Sequence, residues 1–387
     1  MEVKSLLMAM AALTIAGCSQ NEVTEMNPDT NRTIGLDVYT GVQTRGTETT
    51  TSTLKGTDAG FGIFAYQTSS KGWSEEKENK TPEFMYNAHA TWTGESSSGS
   101  WGYTPLRFWP ADDNKITFFA YAPYESKPED GTDPKITLSG QSDKGAPTIT
   151  FEVKTSNNWK DMVDLVTDCR TAIQDQTNNK DNNGTVQFKF SHVLTKIANI
   201  KVKPDTDLGD DTKIFVTGLK LDPGSTTLYK KAVYKFDNNT WEAATPDASY
   251  FSTEQDLSEF LDRKAADSWG YTENSINVSE KDDAKAAALF PKDQALYFIP
   301  VNNKSGTGAE GDLKLKISYD VVTRVTETTN LQSTVTDKVV SLPKETFQKG
   351  TAHTYTLTIK MNAIKIDVVD EMEDWTPGSE KGIDVKQ

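Results

Sequence analysis

The sequence contains few of the residues from which catalytic and metal sites are usually built. Its 387 residues include only two cysteines, Cys18 and Cys169, and three histidines. No HExxH pair is present, and no Cys/His spacing suits zinc. No Gly-x-Ser-x-Gly motif precedes a predicted helix, so a serine nucleophile of that kind is not indicated. The sequence therefore predicts no catalytic residue, no metal site and no cofactor, and we do not expect an enzyme.

Positive charge is also scarce. Lysine and arginine together number 41 against 56 aspartates and glutamates, which gives a formal net charge of −15. Nucleic-acid binding depends on clustered cations that contact phosphates, so this excess of acid argues against a nucleic-acid partner. No apolar run of about 20 residues follows the N-terminal segment, which excludes a membrane-spanning helix from the rest of the sequence.

Residues 1–18 are predicted to be a lipoprotein signal peptide. They contain one lysine, an apolar stretch from Leu6 to Ile15, and the ending Ile15-Ala-Gly-Cys18. That ending is similar to a bacterial lipobox, in which the cysteine is acylated and becomes the new N-terminus. Two or more acyl chains on Cys18 would anchor the exported protein to the outer membrane. The alternative is an ordinary signal peptide with an incidental cysteine. If Cys18 carries lipid, Cys169 has no cysteine with which to form a disulfide, and we expect a buried, unreactive thiol.

Residues 19–45 are predicted to form a polar tether followed by one removable strand. The strand, Ile34–Val42, carries apolar side chains on one face, at Ile34, Leu36, Val38 and Val42. This period-two pattern is typical of a half-buried strand. Arg45 and Gly46 follow it, and Thr47–Thr57 is predicted to be a threonine-rich loop that buries nothing. Exposed loops are the segments that proteases reach most easily.

From Gly60 onward the sequence predicts many short strands and few helices. The strands are rich in β-branched and aromatic residues and are separated by Gly, Pro, Asn and Asp: they include Phe61–Tyr66, Ile116–Ala122, Thr148–Val153, Val186–Phe190, Ile197–Val202, Ile214–Leu221, Leu296–Val301, Leu313–Val325 and Tyr355–Ile359. Helical patterns occur at Thr253–Ala266 and, as a turn or short helix, at Trp159–Val166. The pattern predicts an all-β fold of antiparallel β-sandwiches with a few short helices in loops. A boundary near Ser191–Lys196 would give an N-terminal domain at 46–195 and a C-terminal domain at 196–387.

Four motifs, taken in chain order, resemble those of one protein family. The most informative is Phe188-Lys-Phe-Ser-His-Val-Leu-Thr-Lys-Ile197. The other three are Phe108-Trp-Pro110 followed by Ile116–Pro123, Asp161-Met-Val-Asp-Leu165, and Gly350–Ile359 running on to Trp375. Through these motifs the chain resembles the fimbrillin family, the type V pilin subunits of Bacteroides-like bacteria, over nearly the whole mature sequence.

The resemblance implies a fold and a route of assembly. It implies two transthyretin-like β-sandwich domains, export as a surface lipoprotein, and activation by an arginine-specific protease. It also implies polymerisation with other fimbrial subunits by strand exchange, into a fimbrium that serves surface adhesion. In this sequence, cleavage between Arg45 and Gly46 would detach the lipid and the Ile34–Val42 strand together.

Loss of that strand would leave an apolar groove and an unpaired sheet edge, which a strand from another subunit can fill. Our hypothesis is that the C-terminal region donates the strand, through apolar residues at Ile364, Ile366, Val368, Ile383 and Val385. The alternative that Ile364–Val368 is simply the last intramolecular strand stays open. The choice between a stalk, an anchor and a tip role also stays open, as does the identity of the host or bacterial surface ligand.

A second function is a monomeric, glycan-binding surface lipoprotein. Its candidate residues are aromatic side chains that could stack on sugar rings, at Trp73, Trp92, Trp101 and Trp109. Aromatic side chains are also common in the core of β-sandwiches, so the sequence alone does not separate the two functions.

Overall fold

The computed structural model describes residues 32–39, 49–56, 60–95, 98–110, 112–126, 136–154, 162–178, 183–224, 228–244, 250–264, 271, 274–278, 280–300, 313–342 and 347–360, together with the backbone of 364–370 and 376–377. Strands predominate throughout these residues. Within this part of the chain, no helix has the length and apolar character needed to cross a membrane.

The described strands are, in chain order, β1 (Gly35–Tyr39), β2 (Phe61–Thr68), β3 (Met85–Thr93), β4 (Ser100–Tyr103), β5 (Lys115–Ala122), β6 (Ile136–Leu138), β7 (Thr148–Glu152), β8 (Val166–Asp168), β9 (Thr185–Lys189), β10 (Ser191–His192), β11 (Thr195–Pro204), β12 (Thr212–Asp222), β13 (Lys231–Lys235), β14 (Thr240–Ala243), β15 (Gln255–Asp256), β16 (Ile276–Val278), β17 (Ala287–Ala288), β18 (Leu296–Phe298), β19 (Lys314–Thr326), β20 (Thr329–Ser341), β21 (Thr351–Ile359), β22 (Ile364–Asp370) and β23 (Thr376–Pro377). The helices in the same residues are α1 (Thr51–Lys55), α2 (Trp73–Glu76) and short 3₁₀ turns at Lys77–Asn79, Thr171–Ile173, Ser258–Phe260 and Asp283–Lys285. The prediction of an all-β fold with a few short helices is confirmed.

These strands form five sheets. β1 pairs with β9 alone, and the order of the six-stranded sheet beside them is β10-β8-β5-β2-β3-β4. A four-stranded sheet has the order β14-β13-β7-β6. The other two sheets are β17-β11-β21-β22, joined by β18 and β23, and β15-β12-β19-β20, joined by β16.

β2 and β5 lie at the centre of the N-terminal half, with both faces buried. On one face, Ile63 and Phe118 belong to a cluster with the β1 and β9 side chains. On the other face, Phe64 and Phe119 belong to a cluster with the side chains of the four-stranded sheet. Such continuous apolar runs are expected for strands covered on both sides. β1 and β9 therefore form an outer layer on one side of a well-packed sheet.

Two sequence-based expectations are wrong in detail. Pairing is not antiparallel throughout, because β1 runs parallel to β9 and β11 runs parallel to β21. The described residues 253–264 of the predicted helix Thr253–Ala266 do not form an α-helix, and the helical element among them is the 3₁₀ turn Ser258–Phe260. Leu257, Phe260 and Leu261 are buried, but the pairing of Gln255–Asp256 with β12 prevents a continuous helix.

The second helical pattern, Trp159–Val166, begins among residues outside the described part. Its described residues 162–165 are irregular, and Val166 starts β8. The division into domains at 46–195 and 196–387 stays a prediction. The four-stranded sheet contains strands from both sides of that boundary, since β7 pairs with β13 in antiparallel register.

Candidate functional site

β1 is buried on one face along its whole length. Ile34, Leu36 and Val38 are 2%, 9% and 8% exposed, and they pack in the cluster that lies on the β2–β5 sheet. Asp37 and Tyr39 point the other way and are exposed. Of the four residues predicted to share a face, Val42 lies outside the described residues.

The backbone of β1 is held mainly along one edge. Its five residues pair in parallel with β9, from Gly35 opposite Thr185 to Tyr39 opposite Lys189. On the other edge, the pairing among the described residues is a single bridge between Thr33 and Phe108. β1 is thus a peripheral strand whose ladder is formed with β9.

Hydrogen bonds from neighbouring segments hold both ends of β1 in place. At the start, the Ile34 N–H donates to the Arg107 carbonyl at 2.9 Å, and the Tyr103 hydroxyl donates to the Ile34 carbonyl at 3.0 Å. Burial raises the pKa of Tyr103 above its usual range near 10, so this hydroxyl stays protonated well beyond neutral pH. At the end, the Phe190 N–H donates to the Tyr39 carbonyl at 3.1 Å.

Aromatic rings surround the buried side chains of β1, and we call the rings of Phe61, Phe118 and Phe188 the floor of this site. Phe188 on β9 is 1% exposed and lies opposite Val38. Its ring contacts Phe61 edge-on, with centroids 5.5 Å apart, and Phe118 with centroids 6.2 Å apart. Edge-to-face contacts of this kind hold rings in fixed orientations, so the floor is built largely from residues outside β1.

β9 has a second support that does not depend on β1. The buried carboxylate of Asp168 accepts a hydrogen bond from the Lys189 N–H at 2.7 Å. Arg170 donates to the same carboxylate through Nε at 2.9 Å and to the Gln187 carbonyl through Nη2 at 3.1 Å. Charge-assisted bonds of this type are strong. They hold β9 through groups that do not belong to β1.

The segment that contains Arg45 and Gly46 lies outside the described residues, but both of its flanks are described. Tyr39 precedes it and is bonded to Phe190, as given above. Thr49 follows it and donates to Asp164, through its N–H to Oδ2 at 2.9 Å and through its hydroxyl to the main-chain carbonyl at 2.5 Å. The Asp164 Oδ1 lies 3.0 Å from His192 Nδ1. Both flanks are therefore fastened to the stretch 190–192, and a cut between them would leave each attachment in place.

The expectation of an exposed loop at Thr47–Thr57 is wrong for its described residues. Thr49 and Thr50 are buried, and Thr51–Lys55 forms α1 with Leu54 inserted in the core. The Thr50 side chain accepts from the Thr53 N–H, and the Thr53 hydroxyl accepts from the Thr50 N–H. Such a capping box stabilises the start of a helix. After the segment outside the described residues, the buried part of the chain therefore resumes at Thr49.

Replacing Asp164 with alanine is expected to loosen this first segment. The change leaves the buried Thr49 N–H without its acceptor, which costs about 1–3 kcal/mol. We expect urea denaturation to report that loss and hydrogen exchange to accelerate over Thr49–Lys55. The exposed Asp113 offers a matched control, and equal exchange rates in the Asp164→Ala and Asp113→Ala variants would contradict the role assigned to Asp164.

The predicted donor residues fall into two groups. Ile364, Ile366 and Val368 lie in β22, which pairs antiparallel with β21. β22 is therefore an intramolecular strand in this structure, which is the alternative that the sequence left open. For β22 to be donated to another subunit, it would have to leave β21. Ile383 and Val385 lie outside the described residues, as does Cys18.

The tryptophans proposed for sugar stacking are mostly buried. Trp73, Trp101 and Trp109 are 3%, 8% and 4% exposed. Trp92 is partly exposed, and the Lys55 ammonium lies 3.9 Å from the centroid of its ring. Trp73, Trp101 and Trp109 therefore do not present open ring faces to a glycan, and the Lys55 ammonium covers one face of Trp92.

The described residues show no cluster of three or more His, Cys, Asp or Glu side chains that could hold a metal ion. Cys169 lies 3.6 Å from the Tyr234 hydroxyl, and burial raises the pKa of its thiol. A thiol kept protonated in this way is a poor nucleophile, so its surroundings favour a structural role.

Comparison with known proteins gives a consistent result. The sequence model of the fimbrillin-like family matches residues 44–375. The fimbrium subunit Fim1C of Phocaeicola vulgatus is 77% identical over 387 residues, which cover 100% of each chain. A crystal structure of a fimbrial protein from Bacteroides vulgatus is 76% identical, covers 89% of this chain and 100% of that one, and superposes with a TM-score of 0.80.

Proposed function

Since the chain belongs to the fimbrillin-like family and is a fimbrial subunit, we propose that β1 is a temporary strand that is removed before assembly. In this mechanism the protein is exported as a lipoprotein on Cys18, cut after Arg45, and polymerised by strand exchange. It begins at the outer membrane and ends in a fimbrium that serves adhesion to a host or bacterial surface. Its partners are other fimbrial subunits and an arginine-specific protease.

The observation that carries the proposal is the position of β1. Three buried side chains, Ile34, Leu36 and Val38, lie in or next to a strand whose ladder among the described residues runs along one edge, with a single bridge from Thr33 on the other. Its departure would expose apolar surface to water and would leave N–H and C=O groups of β9 without hydrogen-bond partners. Both changes are unfavourable. A strand supplied by another subunit would restore both sets of contacts, as in other cases of β-strand addition.

The arginines support Arg45 as the cleavage site. The sequence has six, and the five others lie in described residues. A main-chain N–H or C=O of each takes part in a hydrogen bond within the folded structure, at Arg32, Arg107, Arg170, Arg263 and Arg324. Proteases act on extended, accessible segments. The peptide bonds that follow these five arginines are therefore disfavoured as cleavage sites in the folded protein.

Treatment of the purified precursor with an arginine-specific protease tests the proposal. We expect a new N-terminus at Gly46, followed by a ladder of polymers on an SDS gel run without boiling. The Arg45→Ala variant is expected to stay uncut and monomeric, whereas Arg32→Ala is expected to behave like the wild type. Cleavage at Arg45 that yields only monomers, together with binding to carbohydrate, would favour the glycan-binding alternative instead.

A further inference from the structure

β20 is a long edge strand. It contains thirteen residues, Thr329–Ser341, and lies at one end of the order β15-β12-β19-β20. Among the described strands, those at the ends of the other large sheets have between two and seven residues: they are β4, β6, β10, β14, β17 and β22. Proteins usually keep edge strands short, because a row of unpaired N–H and C=O groups attracts another strand. β20 therefore offers an added strand more backbone partners than these other edges do.

The first half of β20 is open to solvent. All six residues from Thr329 to Thr334 are exposed, and the Leu331 side chain is 65% exposed. β19 pairs with β20 along one edge, at eleven positions. Along the other edge, no strand of the described part of the chain pairs with it. Backbone groups and a large apolar side chain are thus exposed together on the same strand.

This exposed stretch also lacks the residues that usually protect an edge. The eight residues from Thr329 to Thr336 include no Asp, Glu, Lys, Arg, Pro or Gly, although charged residues make up 25% of the chain. Charged residues, proline and bulges are the common protection. Asp337 supplies such a bulge, with a φ of 50° and its N–H donated to the Ser318 Oγ at 3.0 Å. We call the unprotected residues 329–336 the β20 edge.

The partner that suits an uncharged edge on an acidic protein is a second copy of the same chain. A partner recognised by its charge would have to meet charged side chains, and the β20 edge has none. Each copy carries a formal net charge of −15, so two copies repel one another over most of their surfaces. Contact through the β20 edge brings uncharged residues together and avoids placing like charges directly opposite each other.

Antiparallel pairing about a two-fold axis at Ser333 gives a self-complementary register. Ser333 then lies opposite Ser333 of the second copy, and Leu331 lies opposite Val335. Residues directly opposite in such a ladder point to the same face of the sheet. The exposed Leu331 side chain therefore meets the half-buried Val335 side chain twice, once on each side of the axis.

We propose that the β20 edges of two fimbrial subunits pair in this register and join the subunits side by side. The pairing does not require removal of β1, because β20 lies in a different sheet from β1 and β9. A ladder of eight residues from each copy is a small interface, and such interfaces are weak between single molecules. In a fimbrium the contact is repeated along the polymer, and repetition strengthens lateral association between polymers.

Cysteine substitutions along β20 test the pairing. Ser333→Cys and Thr329→Cys are made in uncut precursor that carries Cys18→Ser and Cys169→Ser, and disulfide-linked dimers are measured after mild oxidation. We expect Ser333→Cys to form dimers at least about tenfold faster, because cysteines on the axis come within the Cα separation of about 4.4–6.8 Å that a disulfide requires. Thr329 is the matched control, since its two copies lie about 26 Å apart at about 3.3 Å per residue.

Mixing the Leu331→Cys and Val335→Cys variants measures the register. In the proposed register these two cysteines face one another, so the mixture is expected to give dimers that neither variant gives alone. Dimers of Leu331→Cys alone would overturn the register centred on Ser333. Because the precursor is uncut in every case, strand exchange after cleavage does not contribute to the dimers.

Lysine substitutions provide a measurement that needs no oxidation. In Ser333→Lys two lysines meet on the axis and repel one another, although each copy becomes less acidic. Ser100→Lys adds the same charge at the exposed start of β4, another edge strand. In sedimentation velocity we expect wild type and Ser100→Lys to form dimers as concentration rises, and Ser333→Lys to stay monomeric. Equal dimer formation by the two lysine variants, or by Ser333→Cys and Thr329→Cys, would overturn the proposal, as would a wild type that stays monomeric.

Discussion

A chain that begins at Gly46 and lacks β1 is expected to have a free energy of unfolding lower by about 4.5 to 9 kcal/mol, because Ile34, Leu36 and Val38 each contribute roughly 1.5–3 kcal/mol by burial. Their removal exposes the aromatic floor around Phe188 and the unpaired edge of β9. A loss of this size is comparable to the whole stability of many domains. Urea denaturation at low protein concentration, where strand exchange between copies is slow, measures it.

A peptide added in trans supplies the control. A synthetic peptide of residues 33–42 is expected to restore most of the lost stability to the chain of residues 46–387. The same peptide with Leu36→Asp and Val38→Asp is expected to have no effect, because charged side chains at the two buried positions cannot enter the groove without partners. If residues 46–387 are as stable as the precursor without any peptide, β1 does not complete the fold and the assembly mechanism loses its basis.

The features of β1 that the sequence predicts are those that depend on local periodicity. Alternation of Ile34, Leu36 and Val38 specifies which face is buried, because successive side chains on a strand point in opposite directions. The partner of that strand is not predictable in this way. Pairing with β9, and its parallel direction, depend on contacts between segments far apart in the sequence, for which periodicity carries no information.

The residues that hold the site together were missed for a different reason. Asp164 and Asp168 lie in the apolar stretch Val163–Cys169, and both are 1% exposed. A carboxylate in such a stretch is a usable signal, since a buried acid requires hydrogen-bond partners. The sequence does not identify those partners, which are Thr49 and His192 for Asp164 and Arg170 with Lys189 for Asp168.

The threonines and tryptophans show how the same residue type can lead to wrong expectations. Thr50 and Thr53 were assigned to an exposed loop because their composition is polar, yet they cap α1 by bonding to each other's backbone. Threonine favours such local bonds. Trp101 and Trp109, considered for glycan stacking, are buried against β1 and its neighbours. Composition alone does not reveal which large aromatic side chains face solvent.

Phe188→Ala is the point substitution expected to damage the groove most. The Phe188 side chain is fully buried and contacts the rings of Phe61 and Phe118 as well as β1. Loss of such a ring leaves a cavity and costs about 3–5 kcal/mol in unfolding free energy. Phe108→Ala is the matched control, because Phe108 is 48% exposed and lies beside the same strand. We expect urea denaturation to show a cost of less than about 1 kcal/mol for the control.

The same variant separates the two roles of a subunit in a polymer. Phe188→Ala alters the surface that accepts a strand, whereas it leaves the C-terminal residues that would donate one unchanged. Cleaved Phe188→Ala protein is therefore expected to form few polymers alone. When it is mixed with cleaved wild type, we expect a shorter ladder. A variant copy that donates its strand to a polymer becomes the new end of that polymer, and its altered groove cannot accept the next strand. Phe108→Ala should leave ladder length unchanged in the same mixture. Ladders of wild-type length in the Phe188→Ala mixture would place the accepting surface elsewhere than on β9.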